Sequence, residues 1–304
     1  MKISTYCLIV LAAFFTLNSK AQMEPGIRLK GEYIPFSNYN PNGNGDSNTG
    51  KSDMRRIEGG IGIPLSVKLD SLGRPKIWGV MLEGSYASIK NRDFEKNLFP
   101  NELLNASVGL MHMRPLGKTW NIMFMASAGV YTNMKKIDSR DVLAMGGVIF
   151  IKQFNPRTAL GFGPVVSNTF GVPMILPAIY FTWKTEGKFQ VLVNFPQRVE
   201  VGMKLNESIN LKAVGEISSM SADVDREDKF MLSYLQVVTG LRPEFKIGKS
   251  LSVELTGGYS VYRSMTFTSR KLSDFFKDKS DEKISYFKPA PYGAIGLKWN
   301  FGKK

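Results

Sequence analysis

The sequence holds one cysteine and one histidine in 304 residues. A lone cysteine cannot build a disulfide framework or a thiolate zinc site, and one imidazole rules out a multi-histidine metal centre. Beyond the N-terminal segment there is no apolar run long enough for a transmembrane helix, which takes about 20 residues. Disorder is excluded by composition, because 43% of the residues are hydrophobic and 22% charged. Acidic residues are the minority charge, with 26 Asp and Glu against 40 Lys and Arg, a net +14. A chain of this length with one pattern throughout reads as a single large domain.

Met1 to Ala21 carries Lys2, an apolar stretch from Tyr6 to Leu17 and the small-residue pattern Ser19-Lys20-Ala21 before Gln22. These are the parts of a secretory signal peptide cleaved after Ala21, and the apolar stretch is too short to anchor a helix across a bilayer. Cleavage removes Cys7, Lys2 and Lys20 and leaves residues 22–304 as one domain with a net charge of +12. An exported chain without apolar helices is either soluble or a membrane β-barrel, since only helices and closed barrels satisfy every backbone hydrogen bond in lipid.

The dominant signal is period two. Leu251, Val253, Leu255, Tyr259 and Val261 alternate with Ser252, Glu254, Thr256 and Ser260, and Ile295, Leu297, Trp299 and Phe301 alternate with Lys298 and Asn300. Successive side chains of a strand face opposite ways, so each such segment has one apolar and one polar face. Strands are predicted near 26–34, 54–70, 76–90, 102–115, 119–133, 145–154, 158–168, 174–184, 188–195, 199–205, 209–219, 230–246, 250–267 and 290–302. Short connections such as Ser71 to Pro75, Leu116 to Lys118 and Gly248-Lys249 alternate with long ones such as Pro35 to Asp53 and Thr268 to Pro289. Fourteen strands with this alternation describe a transmembrane antiparallel up-and-down β-barrel of the outer-membrane type. Twelve strands is the alternative, because Pro196 interrupts the tight hairpin from Lys188 to Leu205. A soluble β-sandwich or lipocalin-like fold alternates in the same way, but many of these segments run to the roughly 9 to 11 residues that cross a bilayer. Trp78, Trp120, Tyr131, Trp183, Tyr262, Trp299 and Phe301 fall near strand ends, as girdle aromatics do.

The Gln22 start, Leu176-Pro-Ala-Ile-Tyr180, Phe195-Pro-Gln-Arg198 and the ending Gly293 to Phe301 resemble uncharacterised outer-membrane β-barrel proteins of Bacteroidota, a domain of unknown function. The resemblance implies a fold and an address in the outer membrane of a Gram-negative bacterium, and it implies no reaction. In such a family Trp299 and Phe301 occupy the place of an assembly signal read by the barrel-assembly machinery.

Motifs for chemistry are sparse. Gly45 to Ser52 satisfies the phosphate-loop expression, but Met54 to Gly62 continues as strand where a helix is required, so the match is read as chance. His112 is flanked by Met111, Met113, Arg114 and Pro115, with no nucleophile or orienting carboxylate beside it. No enzymatic activity, cofactor or metal site is therefore expected, and nucleic acid is not an expected partner. The polar faces carry Arg28, Lys30, Glu32, Arg56, Glu58, Lys68, Glu83, Glu200, Lys204, Lys212, Glu216, Arg242 and Glu254 as candidate lumen charges. These set ion selectivity or fill the lumen with salt bridges. The expected function is a passive channel for small polar or anionic solutes, narrow or partly plugged. The alternatives are an envelope protein binding outer-membrane lipid, glycolipid or surface partners through basic loops, and a membrane-embedded lipid hydrolase. A short helix is expected over Lys271 to Lys283, with Leu272, Phe275 and Phe276 on one face. Oligomeric state is left open.

Overall fold

The computed structural model describes residues 25–41, 50–94, 99–168, 174–223, 230–269 and 285–301. The signal peptide over 1–21, the helix expected over 271–283 and the first part of the phosphate-loop-like stretch lie outside them. Lys51 and Ser52 already belong to a strand.

The described chain is a closed antiparallel barrel. Its strands are β1 (Gly26–Asn40), β2 (Lys51–Leu69), β3 (Pro75–Arg92), β4 (Glu102–Pro115), β5 (Trp120–Thr132), β6 (Val142–Asn155), β7 (Thr158–Ser167), β8 (Met174–Lys184), β9 (Phe189–Phe195), β10 (Arg198–Lys204), β11 (Ile209–Asp223), β12 (Phe230–Ile247), β13 (Leu251–Ser269), β14 (Tyr286–Phe287) and β15 (Ala290–Asn300). Each strand from β1 to β13 pairs with its sequence neighbours, and β15 pairs with both β13 and β1, which closes the ring. The short β14 continues the line of β15 between β13 and β1, so the wall has fourteen positions. Lys188 to Leu205 is two strands, β9 and β10, joined at the cis Phe195–Pro196 bond and Gln197, which decides for fourteen over twelve. The ends are distinguished below as the turn end, with the short connections, and the loop end.

Alternation sets the two faces. Ile57 is 58% exposed while Arg56 beside it is 2% exposed. Ile27, Leu29, Val108, Leu110, Leu255 and Ile295 also lie on the exposed face. Prolines sit where a missing N–H costs least. Pro35 and Pro64 fall at register shifts, and Pro177 lies on the part of β8 that projects beyond the β9 hairpin, with no strand on that side to bond. At Gly163 a Cβ would collide with the Val148 carbonyl, so β6 and β7 approach there only because the residue is glycine.

At the loop end the barrel is pinched. β11 leans across to β5, where Asp223 and Thr132 form a parallel bridge. Ser219 Oγ donates to the Asn168 carbonyl at 2.6 Å, and Ser85 Oγ lies 3.7 Å from Met220 Sδ. Inside this narrowed ring Ile34, Met54, Leu103, Met220, Leu232, Tyr234, Met265 and Phe287 form one buried cluster. Tyr39 anchors its aromatic part, with ring centroids 5.1 Å from Phe287, 5.3 Å from Phe99 and 5.5 Å from Phe94. A second cluster, including Met111, Met113, Met123, Ile149 and Ile151, lines the inner face of β4–β6. Tyr131 shares that inner face and is buried, a correction to its expected place in an interfacial girdle. The alternation that sends Trp120 and Phe124 outward sends Tyr131 in.

The connections are locally self-sufficient. Asp70 accepts from the Leu72 and Arg74 amides and pairs with the Arg74 side chain, closing a turn in which Gly73 takes a positive φ of 72°. Asp138 caps the 3₁₀ turn Ser139–Asp141, and hydrogen bonds from Arg140 hold its carboxyl down at about 2.

Because the loop-end cluster is packed between strands, Leu103→Ala is expected to destabilise the fold by about 2 to 5 kcal/mol. Ile57→Ala on the outer face is expected to leave the urea midpoint of the folded protein nearly unchanged.

Candidate functional site

Between the apolar loop end and the turn end lies a layer of charge. On four strands a basic and an acidic residue stand two positions apart on one face, as Lys30 and Glu32, Arg56 and Glu58, Arg198 and Glu200, and Arg242 and Glu244. Spacing by two puts both on the same side of the wall, so each strand offers both signs to its neighbours. Arg56 Nη2 lies 2.7 Å from Glu32 and donates to Ser218 Oγ at 2.9 Å. Lys30 Nζ lies 2.8 Å from Glu58, 3.2 Å from Glu32 and 3.7 Å from Glu216. These contacts run from β1 and β2 to β11, which is not their neighbour in the wall, so they bridge the lumen.

On the other side Arg242 Nη1 meets Glu216 at 2.8 Å and Glu200 at 3.2 Å, while its Nε donates to Thr256 Oγ1 at 2.8 Å. Lys212 Nζ lies 3.0 Å from Glu244 and 3.1 Å from Glu254, and Lys298 Nζ lies 2.7 Å from Glu254. Arg198 Nε reaches Glu216 at 3.1 Å. Tyr292 donates to Glu32 at 2.8 Å, and the Gln236 amide reaches the same carboxylate at 3.4 Å. Nearer the loop end Arg263 donates to Ser37 Oγ and the Ser52 carbonyl, both at 2.7 Å, with its guanidinium 4.4 Å over the Phe287 ring.

Of the candidate lumen charges, Lys30, Glu32, Arg56, Glu58, Glu200, Lys212, Glu216, Arg242 and Glu254 come together in this network. Arg28 and Glu83 form a separate, more exposed pair at 2.5 Å nearer the turn end. Lys204 pairs instead with Glu207 in the β10–β11 turn at 2.6 Å, and Lys68 is corrected from the lumen to the outer face, because the register shift between Pro64 and Ser66 sets it opposite Lys76 on the side of Trp78, where it joins no ion pair among the described residues. Sequence reasoning missed Arg198, Glu244 and Lys298 as members. The signal was present, since Arg198 precedes Glu200 by two, Glu244 follows Arg242 by two and Lys298 lies in the polar register of the last strand. With them the network holds six cations and six carboxylates, so it carries no basic excess.

His112 is on the other side of the wall. Its ring stacks on Trp78 at 4.1 Å and lies parallel to Phe124 at 6.5 Å, and Nδ1 lies 3.0 Å from the Ile77 carbonyl. No hydroxyl or carboxylate is among these contacts. Trp299 and Phe301 meet edge to face at 5.8 Å on the strand that closes the ring, with Trp299 opposite Ile27 and the Phe301 amide donating to the Pro25 carbonyl at 2.8 Å.

The sequence profile described as Domain of unknown function (DUF6268) matches residues 17–300, nearly the whole chain. The chain belongs to that family. Among solved structures, the DUF6268 barrel is similar to the transport unit of the autotransporter AIDA-I from Escherichia coli, at 13% identity and a TM-score of 0.32 over 98% of this chain and 97% of that one. It is similar to the β domain of the Bordetella autotransporter BrkA at 10% identity and a TM-score of 0.31, over 91% of this chain and 100% of that one. The outer membrane protease OmpT from Escherichia coli aligns at 7% identity and a TM-score of 0.27, over 93% and 100%. No match is found among curated proteins. The fold of this DUF6268 chain is that of an outer-membrane β-barrel, as its own closed ring of alternating strands shows.

Breaking one partner of a buried ion pair leaves an uncompensated charge, which costs about 3 to 5 kcal/mol. Arg56→Met is therefore expected to lower unfolding stability by about that amount. Adding Glu32→Gln should restore a large part of it, a coupling that a double-mutant cycle in denaturant reads directly.

Proposed function

We propose that this barrel resides in the outer membrane and acts as a sealed, membrane-anchored protein that meets glycolipid or surface partners at its loop end. The packed cross-section there carries the reading: Leu103 of β4 and Met220 of β11, from opposite sides of the ring, share one cluster with Ile34, Leu232, Tyr234 and Phe287, and each is 0% exposed. A plug built from wall residues cannot swing aside as a loop could, because each side chain is fixed to a hydrogen-bonded strand. Below it, ion pairs run from β1 and β2 to β11 and obstruct that part of the lumen.

The outer surface supports the membrane address. An apolar face runs along the strands, and toward the loop end exposed arginines stand over aromatic rings, Arg55 over Tyr33 at 5.7 Å and Arg92 over Phe36 at 4.2 Å. Guanidinium groups at that level suit the phosphates of glycolipid. A passive channel for small polar or anionic solutes has less support, since the six cations of the central network are matched by six carboxylates. A lipid hydrolase has less still, because His112 stacks on outer-face aromatics with neither a nucleophile nor a carboxylate in contact.

Refolded in detergent, the protein is expected to give strong β circular dichroism and a band that shifts on heating in a denaturing gel. In planar bilayers it should show no discrete conductance steps, while Met220→Ala with Tyr234→Ala and Phe287→Ala opens the seal and produces them. Steps from the unaltered protein would contradict the sealed reading.

A further inference from the structure

The outer face near the turn end carries a feature that sealing and loop-end contacts do not use. Strand register places Leu116, Trp120, Lys152, Leu160 and Phe181 along one rung of β4–β8 and its edge. The next rung toward the middle holds Arg114, Ile122, Phe150, Phe162 and Ile179. Leu116, Trp120, Phe150 and Phe162 line a cleft of about 430 Å³ in this face. Leu116 and Phe162 are both more than half exposed, although a soluble surface would bury such a patch against something.

Two cations stand in this apolar field. Lys152 Nζ lies 5.7 Å from the Trp120 ring centroid and 5.1 Å from that of Phe154, so aromatic faces partly compensate its charge. Among the described residues no carboxylate pairs with Lys152 or with exposed Arg114. In the central charge network the opposite holds, and every cation there has a carboxylate within 4.0 Å. A cation on a lipid-facing belt is costly without a counter-charge, and here the protein supplies none.

We propose that this face binds an anionic phospholipid of the leaflet at the turn end, with one acyl chain in the cleft and the phosphate on Lys152. Arg114, two strands and one rung away and about 12 Å distant at strand spacing, takes the other side of the headgroup. The site rests on the membrane-embedded reading but not on whether the lumen is sealed. It is distinct from the loop-end arginines, which face the opposite leaflet.

The experiment uses the full mature chain with Trp120 as its only tryptophan (Trp78→Phe, Trp183→Phe, Trp299→Phe), reconstituted in phosphatidylcholine vesicles. Fluorescence is quenched by titrating dibrominated phosphatidylglycerol or dibrominated phosphatidylcholine into the bilayer. The anionic lipid should half-saturate quenching at a mole fraction about fivefold lower for each cation it engages. Lys152→Gln should remove most of that preference and Lys152→Arg should retain it, with a heat-modifiable band confirming that each variant folds. Superimposable curves for the two lipids, or a preference that survives Lys152→Gln with Arg114→Gln, overturn the site alone. Absence of quenching by either lipid, with the protein left in the aqueous fraction, overturns the site and the membrane reading together.

Discussion

Closure of the backbone hydrogen-bond ring is the constraint on which everything else depends. A strand wall in lipid has no water to satisfy a free edge, so the first strand must find the last, and β1 pairs with β15 from Gly26 opposite Asn300 to Tyr33 opposite Gly293. That seam settles the strand count, fixes which residues face inward and brings Lys30 and Glu32 beside the strand that carries Tyr292 and Lys298. The charge network follows from the closed ring, since its members reach one another across strands far apart in sequence.

Two kinds of interior follow from the same wall. Toward the loop end the inward positions are mainly Ile, Met, Leu, Phe and Tyr, and the wall can collapse until they touch. In the middle they are charged, and desolvating them is tolerable only because each meets an opposite charge and further hydrogen bonds. The two layers support one another. The inward lean of β11 brings Met220 into the apolar cluster, and on the same strand Glu216 and Ser218 meet Lys30 and Arg56.

Much of this was legible in the sequence because period two is a local property. The exposed face of β13 can be read from Leu251, Val253 and Leu255 without knowing what lies opposite, whereas Pro196 left the hairpin from Lys188 to Leu205 open between one element and two. Nine of the thirteen proposed lumen charges proved to share a network because their strands alternate cleanly. What was not legible is which walls meet. The pinch between β11 and β5 joins residues 91 positions apart through a single bridge from Thr132 to Asp223, and no periodicity within either strand encodes it. Lys204 shows the limit from the other side, for its register is luminal but Glu207 in the adjoining turn captures it.

The two shortest of the fourteen wall positions have a mechanical consequence for the lipid around them. β9 and β10 have seven residues each, whereas β2 and β13 have nineteen. A tilted strand needs roughly 9 to 11 residues to match the hydrocarbon thickness. The apolar belt is therefore lower on one side of the barrel than on the other, and a bilayer meeting it must thin beside the Phe195 to Arg198 hairpin or let the whole barrel lean. Such a dent lowers the local cost of displacing lipid, and it gives the barrel a front and a back within the plane of the membrane.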